Sequence, residues 1–373
     1  MNFVMGKEIL LENLSIVSKA VSSRSTMPIL ECVLISAEDQ VRLTGNNLEM
    51  GIETAGMDAD ITEQGSVALE AKIFLEIIRK MPGDTVSFQS DANHLTKLKS
   101  GRAEFKILGL PGDEFPVLPK VPKELGYTVS ASIFKDMIRQ TIFSVALEES
   151  KPVLTGELLH IKDGIMHLVS VDGFRISYRC EQQETLMESD AQNVVVPAVS
   201  LNELARVLPA AGANEKDEMR FYFTDKHILF ETNQYTLVSR LLEGEFIRYN
   251  QIFNEDFTTL VSVERAQLLQ SLERASLIAR ENRKSPVKLS IEQDSIVITS
   301  STELGASYDE VSAEIDGVTL EIAFNPRYLI EALKAIDEER VLITFTGALS
   351  PCIIKSKENE NFKYLILPLR LKS

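Results

Sequence analysis

The sequence predicts an α+β fold with antiparallel sheets, arranged as three repeated domains. Three observations predict it: a strand-then-helix pattern used three times, a constant spacing between copies, and alternating strands between the helices. Met5 to Ser22, Val129 to Ala146 and Val261 to Ala279 each run from a short strand into an amphipathic helix. Their apolar residues recur at three and four spacing, as at Leu10, Leu11, Leu14 and Val17, which gives a helix one buried stripe. A second unit follows in each third: a β-branched strand, a small or capping residue, a helix, a turn and a strand. Its copies are Ser66 to Phe88, Asn193 to Phe223 and Thr319 to Phe345. Aligning Ala71, Ala198 and Asn325 gives an offset of 127 residues twice, a regularity expected of homologous domains. Runs such as Val41-Arg42-Leu43-Thr44 and Ile296-Val297-Ile298-Thr299, with turn signals at Gly45-Asn46 and Asp316-Gly317, supply the strands.

At 373 residues the chain exceeds one ordinary core. We divide it at 1–122, 123–252 and 253–373. The joints are Leu118-Pro119-Lys120-Val121-Pro122, whose prolines suit an extended connector, and the polar stretch from Tyr249 to Asp256. Connectors this short make the three domains an arc. Hydrophobic residues at 44% and charged residues at 25% indicate a chain folded throughout. No apolar run approaches the roughly 20 residues of a membrane helix, and charge at Lys7 and Glu8 interrupts the N-terminus, so a cytoplasmic protein is expected. Cys32, Cys180 and Cys352 are far apart, with no CxxC pair, and read as unpaired thiols rather than a zinc site or disulfide frame.

A net charge of −16 argues against nucleic acid unless the charges are segregated. The six helical segments 5–24, 70–80, 130–147, 197–211, 263–284 and 325–336 together hold 16 Lys or Arg and 10 Asp or Glu, a net of +6, which leaves −22 elsewhere. Lys72, Arg79, Lys80, Arg139, Arg206, Arg274 and Lys334 fall off the apolar stripes. Helices facing one way in a quasi-symmetric arrangement would offer phosphates a mildly positive surface on an acidic body. Ordinary pairing on solvated faces is the competing reading.

Catalysis finds little support. His94, His160, His167 and His227 show no HExxH or metal-pair spacing and read as structural, and no glycine run ends in the Lys-Ser or Lys-Thr of a phosphate loop. Val171-Asp172-Gly173 and Asp316-Gly317 read as turns. Nothing brings Glu49 and Asp172 together as an acid and base pair. We expect no enzyme activity and no cofactor or metal.

The sequence resembles the β subunit of bacterial DNA polymerase III, the sliding clamp of replication, over essentially its whole length. Arg24 to Leu30 (RSTMPIL), Leu43 to Met50 (LTGNNLEM), Ser100 to Pro116 (SGRAEFKILGLPGDEFP) and Tyr364 to Leu371 (YLILPLRL) carry the resemblance, in order, on the threefold repeat. It implies three clamp-type domains, a head-to-tail homodimer closed into a ring, helices inside and sheet outside. The implied partners are double-stranded DNA held topologically, the replicative polymerase, the clamp loader and other proteins with short binding peptides. A clamp-like protein scaffold not loaded on DNA is the alternative.

The resemblance also assigns residues. For DNA it implies Arg24 and Lys72, with Lys151 on an inner loop as a further contact; Ala198 and Val199 stand where some clamps have a basic pair. For closure it implies Phe105, Lys106, Ile107 and Leu108 against Gly305 to Glu310, with Lys72, Ile73, Leu277 and Ile278 packing nearby. For client peptides it implies an apolar groove. One wall is Leu154, Gly173, Phe174, Arg175, Ile176, Ile247 and Ile252; the other is Leu349, Pro351, Leu365, Leu367, Pro368, Leu369 and Arg370. Its two arginines would fix a peptide's polar groups. Phe174 stands where many members have histidine, Leu367 and Leu369 where methionine is common, and Lys372-Ser373 run past the usual end, so a stiffer pocket with altered client preference is expected.

Overall fold

The structure, a computed structural model, describes residues 1–124, 126–148, 151–183, 192–209, 218–253, 256–279, 286–357 and 360–370. Residues 210–211 and 280–284 of the helical segments, Asn254 and Glu255 of the second joint, and Lys372-Ser373 lie outside the described residues. Six helices carry the repeat: α1 (Lys7–Val17), α2 (Ala71–Lys80), α3 (Ala131–Thr141), α4 (Ala198–Val207), α5 (Arg265–Ala279) and α6 (Pro326–Ala335). The segments that hold α1 and α3 stop being α-helical early and finish in single 3₁₀ turns at Ser18–Ala20 and Ile142–Ser144. α2 and α4 begin on the aligned Ala71 and Ala198, whereas α6 begins one residue after Asn325. Asn325 is its N-cap, accepting the Arg327 amide (3.1 Å), with Pro326 in the first helical position where a missing N–H is tolerated.

The chain forms two compact units, Met1–Ala131 with Arg206–Leu241, and Ser132–Ala205 with Leu242–Ser373. The first contains two antiparallel sheets. One has five strands in the order 60–63, 2–6, 85–90, 95–100, 103–108; the other has nine, in the order 110–111, 65–70, 32–37, 41–46, 50–54, 235–240, 227–231, 218–223, 127–130. α1 buries Leu10, Leu14 and Val17, and α2, packed beside it, buries Phe74, Ile77 and Ile78. Phe88 stacks on Phe3 with ring centres 4.7 Å apart and takes the edge of Phe74, joining helix and sheet. Gly45 is required here, since a Cβ would lie 2.2 Å from the Val17 carbonyl oxygen.

The second unit has one twelve-stranded antiparallel order: 192–197, 156–162, 165–171, 175–182, 362–366, 352–356, 340–345, 259–264, 305–317, 295–302, 287–291, 320–324. The long strand Gly305–Gly317 serves two ladders, its first eight residues pairing with Ser295–Thr302 and its last five with Thr259–Val263. Leu268 and Leu272 of α5 pack with Leu329 and Leu333 of α6 in a core closed by Ile298, Ile343 and Phe345.

Among the buried polar residues is one carboxylic acid. Glu157, on strand Gly156–Lys162, is fully buried, and among the described residues neither carboxyl oxygen has a hydrogen-bond partner. Burial holds its carboxyl well above the ordinary carboxylate range; the Thr141 hydroxyl, which opposes that shift, donates to the Met137 carbonyl (2.8 Å). A folded-state pKa raised above that of the open chain gives stability that is whole below about pH 4.3 and is lost as pH rises through the folded value. Glu157→Leu should therefore stabilise the protein by about 1–3 kcal/mol at pH 8. The gain should shrink towards pH 4.5 in melting curves, and a gain independent of pH would contradict the assignment.

Candidate functional site

The expected peptide groove lies in the second unit. Leu154, Ile176 and Leu365 join one buried apolar cluster, with Ile247 packed against it. Strand pairing makes that possible, because Ile176 sits opposite Leu365 in the ladder between 175–179 and 362–366. The turn before it is built by Asp172, whose Oδ1 accepts the amides of Phe174 (2.9 Å) and Arg175 (3.1 Å), and by Gly173 at φ +90° with open space where a side chain would stand. The Phe174 carbonyl accepts the Leu367 amide (2.9 Å), and the Leu369 amide reaches the Ala323 carbonyl (2.7 Å), which pins the terminal segment beside the turn. Phe174, Ile252, Leu349, Leu367 and Arg370 are exposed, while Pro351, Pro368 and Leu369 are half-buried. Leu349, at 73% exposure, belongs to the outer rim rather than the wall.

Arg175 departs from its expected role. Only 4% exposed, it pairs with Asp172 (2.9 Å) and Glu331 of α6 (2.5 Å) and donates to the Phe143 carbonyl. It also lies over the ring of Tyr328, 4.5 Å from its centre. These contacts occupy three of the five guanidinium donors and tie the Asp172 turn to α6.

Every residue expected to contact DNA is exposed, and most of them are partnered. Arg79 and Lys80 share Glu76, Arg139 pairs with Asp136 and Asp337, Arg274 with Asp309 and Lys334 with Glu273. Arg206 sits on the last turn of α4. Among the described residues Arg24, Lys72 and Lys151 have no carboxylate within ion-pair distance, so these three keep the strongest unopposed positive charge.

The two strands expected to close the ring are open-sided. Strand Ala103–Leu108 ends its sheet, pairing only with Leu95–Ser100, and among the described residues the stretch 305–312 pairs on one side only. Phe105 is exposed, Leu108 is 74% exposed, and Ile73, Ile77 and Phe105 line one shallow apolar depression that also takes in Lys72. Lys106 is exposed and Ile107 half-buried. In the second unit Leu277 and Tyr308 are exposed and Ile278 half-buried.

One cluster went unread in the sequence. His160 and His167 are cross-strand partners with stacked rings, centres 5.0 Å apart. His160 Nδ1 meets the Tyr249 hydroxyl at 2.6 Å, and His167 Nδ1 meets that of Tyr178 at 2.9 Å. Burial lowers His160, and burial with His160 and Lys162 nearby pulls His167 down to about 4, so both rings are neutral at pH 7. The signal was Asp163-Gly164, a two-residue turn with φ +52° and +77° whose register sets residue 160 opposite residue 167. The three cysteines are free; burial raises Cys32 to about 11 and Cys352 to about 12. Among the described residues no helix could cross a membrane, and no three His, Cys, Asp or Glu gather as metal ligands do.

Comparison with known proteins places this architecture. Family models match residues 1–119 (DNA polymerase III beta subunit, N-terminal domain), 128–247 (central domain) and 250–370 (C-terminal domain). The Beta sliding clamp of Staphylococcus epidermidis is 34% identical over 380 residues, covering 99% of both chains. The crystal structure of a putative DNA polymerase III beta subunit from Eubacterium rectale superposes with a TM-score of 0.94 at 37% identity, and that of the DNA polymerase sliding clamp from Bacillus subtilis with 0.95 at 34%, each covering all of both chains. With three consecutive models spanning nearly every residue and relatives matched end to end, this chain belongs to the DNA polymerase III beta subunit family, the beta sliding clamps.

Proposed function

We propose that the chain is a DNA sliding clamp and processivity factor, two copies of which close head to tail around duplex DNA and tether the replicative polymerase and other client proteins. The single observation that carries this reading, beyond family membership, is the pair of open-sided strands at 103–108 and 305–312. Unpaired edges invite uncontrolled association, and pairing the first of one copy with the second of another removes both at once. The flanking side chains are complementary: Lys97, Lys99 and Lys106 surround the lone Glu104 on one edge, while Asp309 and Glu310 stand on the other. Ile73, Phe105, Ile107 and Leu108 supply one apolar contact surface and Leu277 and Ile278 the other. The three clamp domains divide at 1–122, 123–252 and 253–373.

In such a ring Arg24, Lys72 and Lys151 make the loose phosphate contacts, with Arg79, Lys80, Arg139, Arg206, Arg274 and Lys334 adding a weak, largely neutralised background. Sliding favours that arrangement, since tight ion pairing to phosphate would hold the protein in place. Client peptides, the replicative polymerase and clamp loader among their sources, seat on Leu154, Ile176, Ile247 and Leu365, with Gly173, Phe174, Ile252, Leu367, Pro368, Leu369 and Arg370 at the rim. The protein acts without catalysis, in the cytoplasm. The neutralised cations favour one other reading, a protein scaffold that never encircles DNA.

Retention on DNA separates the two. Loaded on nicked circles, the clamp should persist at high salt and slide off once the circle is cut, because topology rather than ion pairing holds it; equal loss from intact and cut circles would favour the scaffold. Leu108→Asp together with Ile73→Asp should shift the dimer to monomer in sedimentation with the melting temperature little changed, and an unaltered dimer would remove that surface from the joint. Arg175→Ala takes one partner from Glu331, which keeps Arg327, and one from Asp172, which keeps the amides of its turn, and should lower stability by about 1–3 kcal/mol in denaturant titrations while weakening peptide binding. Unchanged stability would show Arg175 to be dispensable beneath the groove.

A further inference from the structure

We propose that the His160–His167 pair is a binding site for one divalent transition-metal ion of the zinc class, held by the two Nε2 atoms with water in the remaining positions. The four rings around it form a closed quadrilateral: His160 and His167 at 5.0 Å, His167 and Tyr178 at 5.7 Å, Tyr178 and Tyr249 at 5.8 Å, Tyr249 and His160 at 6.0 Å. Each imidazole spends its Nδ1 on a tyrosine hydroxyl, which leaves Nε2, across the ring from that contact, as its remaining nitrogen.

That is the arrangement in which a ligating histidine is ordinarily held, its other nitrogen hydrogen-bonded so that tautomer and ring orientation are fixed. With each Nδ1 proton donated to a tyrosine oxygen, both Nε2 lone pairs are free. Two nitrogens at about 2.1 Å from a tetrahedral ion stand about 3.4 Å apart, so rings whose centres are 5.0 Å apart need only tilt towards each other. In that tautomer no proton need be displaced from Nε2. Imidazole nitrogen suits zinc, copper and nickel, and neither calcium nor magnesium. The charges nearest the pair, Lys162 and Asp163 at the hairpin end, are of opposite sign and 3.9 Å apart. Metal on Nε2 also locks the Tyr249 hydrogen bond, bracing the 3₁₀ turn Tyr249–Gln251 that lies between Ile247 and Ile252. The inference stands apart from the clamp reading, since it rests on these four rings alone.

The test is titration of the full-length protein with Zn²⁺ by calorimetry against a competing chelator, with His160→Gln, His167→Gln, His94→Gln and His227→Gln compared. One saturable site per chain is expected, weakened at least about tenfold by either of the first two changes and unmoved by the others. Since those changes also disturb the tyrosine contacts, long-range ¹H–¹⁵N spectra of the unaltered protein provide the second measurement. Zn²⁺ should shift Nε2 of His160 and His167 and leave both Nδ1 protonated. Equal affinity in all four variants, shifts confined to other histidines, or no saturation below millimolar Zn²⁺ would each overturn the assignment.

Discussion

Main-chain hydrogen bonding across the boundaries between repeats is the constraint from which the rest of this structure follows. Strand Met50–Thr54, within the N-terminal family match, pairs with Tyr235–Arg240, within the central one. Arg175–Arg179 of the central match likewise pairs with Phe362–Ile366 of the C-terminal one. Every buried strand needs both its edges satisfied, so these two ladders fix where successive repeats meet before any side chain contributes. Several strand edges stay open, among them the sides of 103–108 and 305–312 on which the clamp reading depends. The apolar cluster of Leu154, Ile176 and Leu365 follows from the same rule, since the second ladder sets Ile176 opposite Leu365.

The electrostatics show two opposite ways of handling charge. On the surface, cations off the helix stripes are mostly matched by a carboxylate on the same or a neighbouring element, whereas Arg24, Lys72 and Lys151 have no such carboxylate among the described residues. In the interior, Arg175 is compensated by two carboxylates, a carbonyl and two rings, whereas among the described residues Glu157 has no hydrogen-bond partner and burial raises its carboxyl well above the ordinary range.

Helix positions and repeat spacing were legible in the sequence because they depend on local periodicity. α2 and α4 start on the aligned alanines, and α6 is displaced only by the proline that follows its cap. The early ends of α1 and α3 were not legible, since nothing in their apolar pattern changes at Ser18 or Ile142. The groove was reachable only through family resemblance, and Arg175 was assigned to a ligand because its true partner, Glu331, is far away in sequence and arrives through tertiary packing. His160 and His167 could have been paired from Asp163-Gly164, but histidines on strands read singly as structural unless hairpin register is worked out first.

Strand Gly305–Gly317 carries a mechanical implication. Its last five residues pair with 259–263 and its first eight with 295–302, so each half is held by one neighbouring strand. Being one unbroken backbone, it links the two ladders, so in the ring proposed above a pull along 305–312 would pass into the ladder with 259–263. A joint of the proposed kind would resist pull along the strand and yield to bending of the strand away from its neighbour.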